Sequence, residues 1–139
     1  MSLTNRDIYK NALSLIGERI SGSVSDDYEE RAEYILPAFF CVAKNTDKKL
    51  RKIEGLDDQP SFNPVHTPLD SEFPLSDSFV STAALYLAAM LVIDENSELS
   101  DTLYDKYCDS IASIAASLSV VAEESSASCE PIVQKYFFD

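Results

Sequence analysis

Glycine is scarce in this chain, with three residues in 139, which excludes folds built on many tight turns or on glycine-rich phosphate loops. Histidine occurs once, as His66, inside a proline-rich stretch. A hydrolytic triad needs an imidazole to carry the proton between nucleophile and leaving group. No nucleophile pattern accompanies His66, so it reads as a surface loop histidine. P-loop, GxGxxG, GxSxG and HExxH patterns are all absent. Cysteine is limited to Cys41, Cys108 and Cys129, an odd number at wide spacings with no CxxC pair. That argues against a zinc site and a disulfide framework, and predicts reduced thiols with no metal or cofactor. The longest apolar run, Ala83 to Ile93, falls short of the roughly 20 residues a membrane helix needs. The opening Met1–Asp7 is polar and is not expected to act as a signal peptide.

Positive charge is also in short supply: 11 Lys and Arg face 24 Asp and Glu, a net charge of −13. The imbalance is uneven. Residues 1–52 balance to +1, whereas residues 53–139 carry −14. Sequence-specific nucleic-acid binding is not expected, because phosphate neutralisation supplies much of that affinity. The one basic cluster is Lys44, Lys48, Lys49, Arg51 and Lys52.

What is present is helical periodicity in a composition that is 45% hydrophobic, consistent with one globular domain over residues 1–118. Thr4 with Asp7 three residues later forms a capping-box pattern, and Ile8, Ala12, Leu15 and Ile16 follow at helical spacing up to Gly17, predicting a helix over 4–17. Acids at Asp26, Asp27, Glu29 and Glu30 and bases at Lys48 to Lys52 match the two poles of a helix dipole, predicting a long second helix over 26–52. Pro37 lies inside it and is expected to kink or split it, since it cannot bond the carbonyl of Glu33. Residues 54–75 hold Pro60, Pro64, Pro68 and Pro74 and read as a long loop. A third helix, from Ser76 or Asp77 to Asp94, is apolar on nearly every side and should be central.

The fourth helix, over 98–118, places Leu99, Leu103, Tyr107, Ile111, Ile114 and Leu118 on one face and Glu98, Asp101, Asp105 and Asp109 on the other. After it, residues 119–139 read as a linker through Ser125–Ser128 and a short strand or extended arm ending Tyr136-Phe137-Phe138-Asp139. The expected class is all-α, with four main helices.

Three surfaces are candidates for interaction. The acids Glu98, Asp101, Asp105 and Asp109 form either a solvated helix face or a negative surface with a purpose, Lys106 being nearly their only local counter-charge. Lys44, Lys48, Lys49, Arg51 and Lys52 either complement the helix dipole or meet phosphate, an acidic partner or a second copy of the chain. Tyr136, Phe137 and Phe138 either complete the core or dock on a partner.

The stretch Asn5-Arg6-Asp7-Ile8-Tyr9-Lys10-Asn11-Ala12-Leu13-Ser14-Leu15-Ile16-Gly17-Glu18 resembles the first helix of tailed-bacteriophage head–tail connector (neck adaptor) proteins and their prophage relatives. The segment Phe73-Pro74-Leu75-Ser76-Asp77-Ser78-Phe79, followed by Ala83-Ala84-Leu85-Tyr86-Leu87-Ala88-Ala89, is similar to their proline-then-Ala-rich-helix segment. The resemblance implies a non-enzymatic virion protein, in a ring-type homo-oligomer between portal and tail proteins, made in the bacterial host cytoplasm and placed in the virion neck. DNA would pass nearby, beside the acidic face as lumen wall. The proline-rich 54–75 segment matches no element of that family. A bacterial helical adaptor or regulatory module that binds one protein partner is the alternative.

Overall fold

The computed structural model describes residues 2–17 and 27–125, with 119–125 as backbone only. Four helices follow in order: α1 (Asn5–Ile16), α2 (Asp27–Glu54), α3 (Val80–Val92) and α4 (Ser97–Ser125). No strand occurs among the described residues, so the chain is all-α as its periodicity predicts. The capping box at the head of α1 is in place: the Asp7 amide donates to Thr4 Oγ1, and the Thr4 amide donates to Asp7 Oδ2 at 2.9 Å. Gly17 closes α1 at φ 65°, a left-handed conformation that side chains disfavour.

Helix α3 is the hub. Ala83, Ala84, Leu87, Ala88, Ala89, Leu91 and Val92 are all buried, and α3 packs against α1, α2 and, most extensively, α4. Its alanines let the neighbouring helices approach closely. Val80, Leu85, Tyr86 and Met90 stay partly open, and Ser81 near its start is exposed. Arg31 from α2 donates to the last-turn carbonyls of Met90 (3.1 Å) and Leu91 (3.4 Å), which have no partner within the helix. Between α2, α3 and α4 sits Phe39, fully buried, with ring centroids 5.8 Å from Tyr86, 5.9 Å from Tyr107 and 6.4 Å from Phe79.

Helix α2 does not split at Pro37; it runs unbroken through it. The carbonyl of Glu33, which Pro37 cannot serve, accepts instead from the Thr67 amide at 2.9 Å. Long-range hydrogen bonding therefore replaces the missing helical bond, and the orphan acceptor becomes an attachment point. At the other end of the fold, α4 extends to Ser125, past the predicted end at 118 and into the predicted linker. The remaining linker and the arm with Tyr136, Phe137 and Phe138 lie outside the described residues.

Segment 55–76 is an ordered strap rather than a loose loop. Its anchors on α2 begin with Glu33: besides the carbonyl just noted, the carboxylate accepts from the Leu69 amide at 2.9 Å and contacts His66 Nε2 at 3.0 Å. On α1 the strap supplies the carbonyls that a helix start lacks. Ser71 O accepts from Asn5 N at 3.0 Å and Leu69 O from Arg6 N at 2.7 Å. The Phe73 amide returns a bond to Leu3 O, and Thr4 and Glu72 form an isolated antiparallel bridge. Leu69, Phe73 and Leu75 of the strap are buried, with Phe73 packed edge-on to Phe40 at 5.6 Å.

Candidate functional site

A carboxylate inside α2 organises the opposite end of the strap. Asp47 falls between Ala43 and Leu50 on the buried stripe, and its side chain is fully buried. Oδ2 accepts from Arg51 Nε at 2.7 Å and from Gln59 Nε2 at 2.8 Å, while Oδ1 accepts from the Ser76 amide at 2.9 Å. Arg51 in turn donates to the carbonyls of Asp57, Asp58 and Pro74. Asp47 and Arg51 thus tie the end of α2 to both the start and the finish of the strap. The expectation that Arg51 belongs with the basic surface needs correction. Its side chain is only 13% exposed, and its donors are spent inside the molecule.

This node forms the back of an open cleft of about 840 Å³, walled by Ser2 and Leu3, the end of α2, and both ends of the strap. Leu3, Leu56, Pro60, Phe73 and Leu75 are its apolar lining, and Glu54, Asp57, Asp58, Glu72 and Asp77 line it as well. All five acids are exposed. None of the five carboxylates has a hydrogen-bond or ion-pair partner among the described residues.

The remaining basic residues, Lys44, Lys48, Lys49 and Lys52, are exposed on α2. Lys44, Lys48 and Lys52 repeat every fourth residue and form one stripe, with Lys44 Nζ 5.9 Å from the Phe62 ring centroid. At roughly 100° per residue, that stripe is turned about a quarter of the way around α2 from the Asp47–Arg51 face. The two surfaces look in different directions. Glu98, Asp101, Asp105 and Asp109 are all exposed on α4, and Lys106 is exposed among them. They follow one another along the length of α4.

A second, more apolar groove of about 660 Å³ opens between α2 and α3, lined by Tyr34, Ile35, Ala38, Tyr86 and Met90 with Arg31 at its edge. Tyr34 is 55% exposed there. Cys41 and Cys108 are free, exposed thiols, and Cys129 lies outside the described residues. Among the described residues no three of His, Cys, Asp and Glu are placed to hold a metal ion, and no helix is long and apolar enough to cross a membrane.

Glu33 makes the strap pH-sensitive. Burial pushes its carboxyl up, but the Leu69 amide and His66 outweigh that and hold it below the usual carboxylate value of 4.5. A group with a depressed folded pKa stabilises the fold above its unfolded pKa and loses that contribution as pH falls through the folded value. In urea melts across about pH 3 to 7, wild type should exceed Glu33→Gln by about 1–2 kcal/mol near neutrality, with the gap closing below about pH 4.5. A gap that persisted unchanged at low pH would show that the carboxylate charge is not what holds the strap.

Sequence reasoning missed both anchors and the cleft. Asp47 carries a visible signal: an acid on the apolar stripe Ala43–Leu50 with an arginine four residues on. The five cleft acids are scattered from 54 to 77 without a period, and only the strap's path gathers them. Comparison of the chain with protein-family models, curated proteins and solved structures found no match.

Proposed function

We propose that this protein is a non-enzymatic structural component of a tailed phage or prophage, a head–tail connector that joins portal to tail as a ring-type homo-oligomer. Its place would be the virion neck, after synthesis in the bacterial host cytoplasm. The observation that supports this most is the exposed, nearly one-signed face of α4, with Glu98, Asp101, Asp105 and Asp109 along one side of a long helix. Facing the lumen of a ring, such a wall repels DNA phosphate and lets the duplex pass without being held. The helix order, with an Ala-rich third helix at the centre, agrees with the resemblance to connector proteins. A helical adaptor binding one protein partner is the second reading, favoured by the open apolar groove at Tyr34, Tyr86 and Met90.

The test is assembly. Full-length protein mixed with the portal encoded in its gene neighbourhood should form rings on the portal, visible by electron microscopy. Asp101→Asn/Asp105→Asn/Asp109→Asn should still assemble but retain DNA more strongly at low salt. Absence of portal and tail genes from the neighbourhood, together with failure to form rings on any portal tried, would sink the connector reading and favour the adaptor.

A further inference from the structure

We infer that the acidic cleft between the chain start, the end of α2 and the strap is a socket for the lysine stripe Lys44, Lys48 and Lys52 of a second copy of this chain. This rests on the ring-assembly reading above and names the two surfaces that would meet.

Three observations converge on an ammonium-bearing occupant. First, the charged side chains that the cleft leaves unpaired are all acids. Glu54, Asp57, Asp58, Glu72 and Asp77 have no partner among the described residues, and the nearby guanidinium of Arg51 is consumed by Asp47 and three strap carbonyls. Second, Ser76 lines the same cleft at 7% exposure, and its hydroxyl has no hydrogen-bond partner among the described residues. Leaving such a group unpaired is costly, and a rotation of the side chain toward a donor seated in the cleft would relieve it. Third, the five acids are spread over the end of α2 and both ends of the strap, an arrangement that suits several separate cations. A lysine supplies three donors and no acceptor at the end of a long flexible stem whose methylenes can lie against side chains such as Leu56 and Pro60.

A second copy is the natural source. Its stripe offers ammonium groups at intervals of roughly 6 Å along α2. Neither Lys48 nor Lys52 has a hydrogen-bond or ion-pair partner among the described residues. Because the stripe and the cleft look in different directions from the same helix end, the contact is head-to-tail, which builds a ring when the rotation closes. The rival acidic surface on α4 holds no unpartnered buried side-chain group among the described residues. Lysines lying on it would stay in water and be screened by salt.

Charge reversal on the full chain tests the pairing. Asp57 and Asp58 lend only their backbone carbonyls to the fold, so Asp57→Lys/Asp58→Lys should fold, as circular dichroism would confirm. Sedimentation velocity at low salt should show wild type associating. Lys48→Glu/Lys52→Glu and Asp57→Lys/Asp58→Lys should each weaken association by roughly tenfold or more. Mixing those two variants, or combining all four changes in one chain, should restore it in part, because reversed stripe positions then face reversed positions in the cleft. Asp101→Lys/Asp105→Lys, the matched reversal on α4, should change association little.

The proposal is overturned if wild type stays monomeric at high concentration and low salt. It is equally overturned if the four-fold variant stays dissociated, or if the α4 reversal costs as much as the cleft reversal. Association through the cleft without recruitment to a portal would instead remove the connector reading and leave this contact standing.

Discussion

Asp47→Ala should lower the melting temperature by roughly 10–20 °C, the effect of about 3–5 kcal/mol in a domain of this size. One carboxylate holds three donors: Arg51 Nε, Gln59 Nε2 and the Ser76 amide. Alanine strands all three. The buried Ser76 amide loses its acceptor, and Arg51 keeps a charge at 13% exposure with its counter-ion removed. Breaking a buried pair on one side costs far more than the pair's net worth. Asp47→Asn keeps an acceptor for the Ser76 amide at nearly the same volume and should recover part of the loss. Hydrogen exchange at Ser76 and through residues 55–60 should accelerate more than exchange in α3. A melt within about 2 °C of wild type would mean that the strap is held by its apolar residues alone.

Phe39→Ala should cost a similar amount, about 3–5 kcal/mol, by a different route. Phe39 is fully buried where α2 meets α3 and α4, and its ring neighbours Tyr86, Tyr107 and Phe79. The side chains around it belong to three helices and cannot all collapse into the space left by a phenyl ring. The loss should therefore be global, with protection falling together in α2, α3 and α4. The Tyr107 phenol gives an independent probe. Burial, together with Tyr104 and Tyr86, pushes it up to about 12. Opening its surroundings should bring that titration back toward an ordinary tyrosine. Retention of wild-type stability and an unchanged phenol titration would show that Phe39 is not a keystone of the three-helix junction.

The helices were legible in the sequence because each carries a local signature. Thr4 and Asp7 cap α1, Gly17 ends it, and the charge gradient from Asp27 to Lys52 brackets α2. The central position of α3 follows from its lack of any polar face, since only a helix surrounded by others can bury every side. Where local reasoning failed, a distant residue had intervened. Pro37 leaves α2 whole because Thr67, thirty residues away, takes up the carbonyl of Glu33. Arg51 sits where a dipole-complementing surface cation is expected, yet strap carbonyls capture it. The strap itself was read only as proline-rich and aperiodic, because its order comes from Glu33, Asp47 and the first turn of α1, none of which lies within it. The exposure of Lys48, Lys52 and the α4 acids followed from helical spacing, whereas the cleft acids share no period that a scan could find.

The dependence of α1 on the strap and on α3 also sets a timetable for synthesis. Helix α1 is made first, yet it packs chiefly on α3, and its leading amides are capped by Ser71 and Leu69. At about 5–20 residues per second, the 63 residues between Ile16 and Val80 correspond to roughly 3–13 s of translation. During that interval Ile8, Ala12 and Ile16, all buried in the finished molecule, have no core to enter. The nascent chain thus carries an unfilled apolar helix at its leading end until more than half of it has been made. Slowing the ribosome within codons 17–79 would lengthen that exposure, making early translation the stage at which chaperone capture or aggregation is most probable.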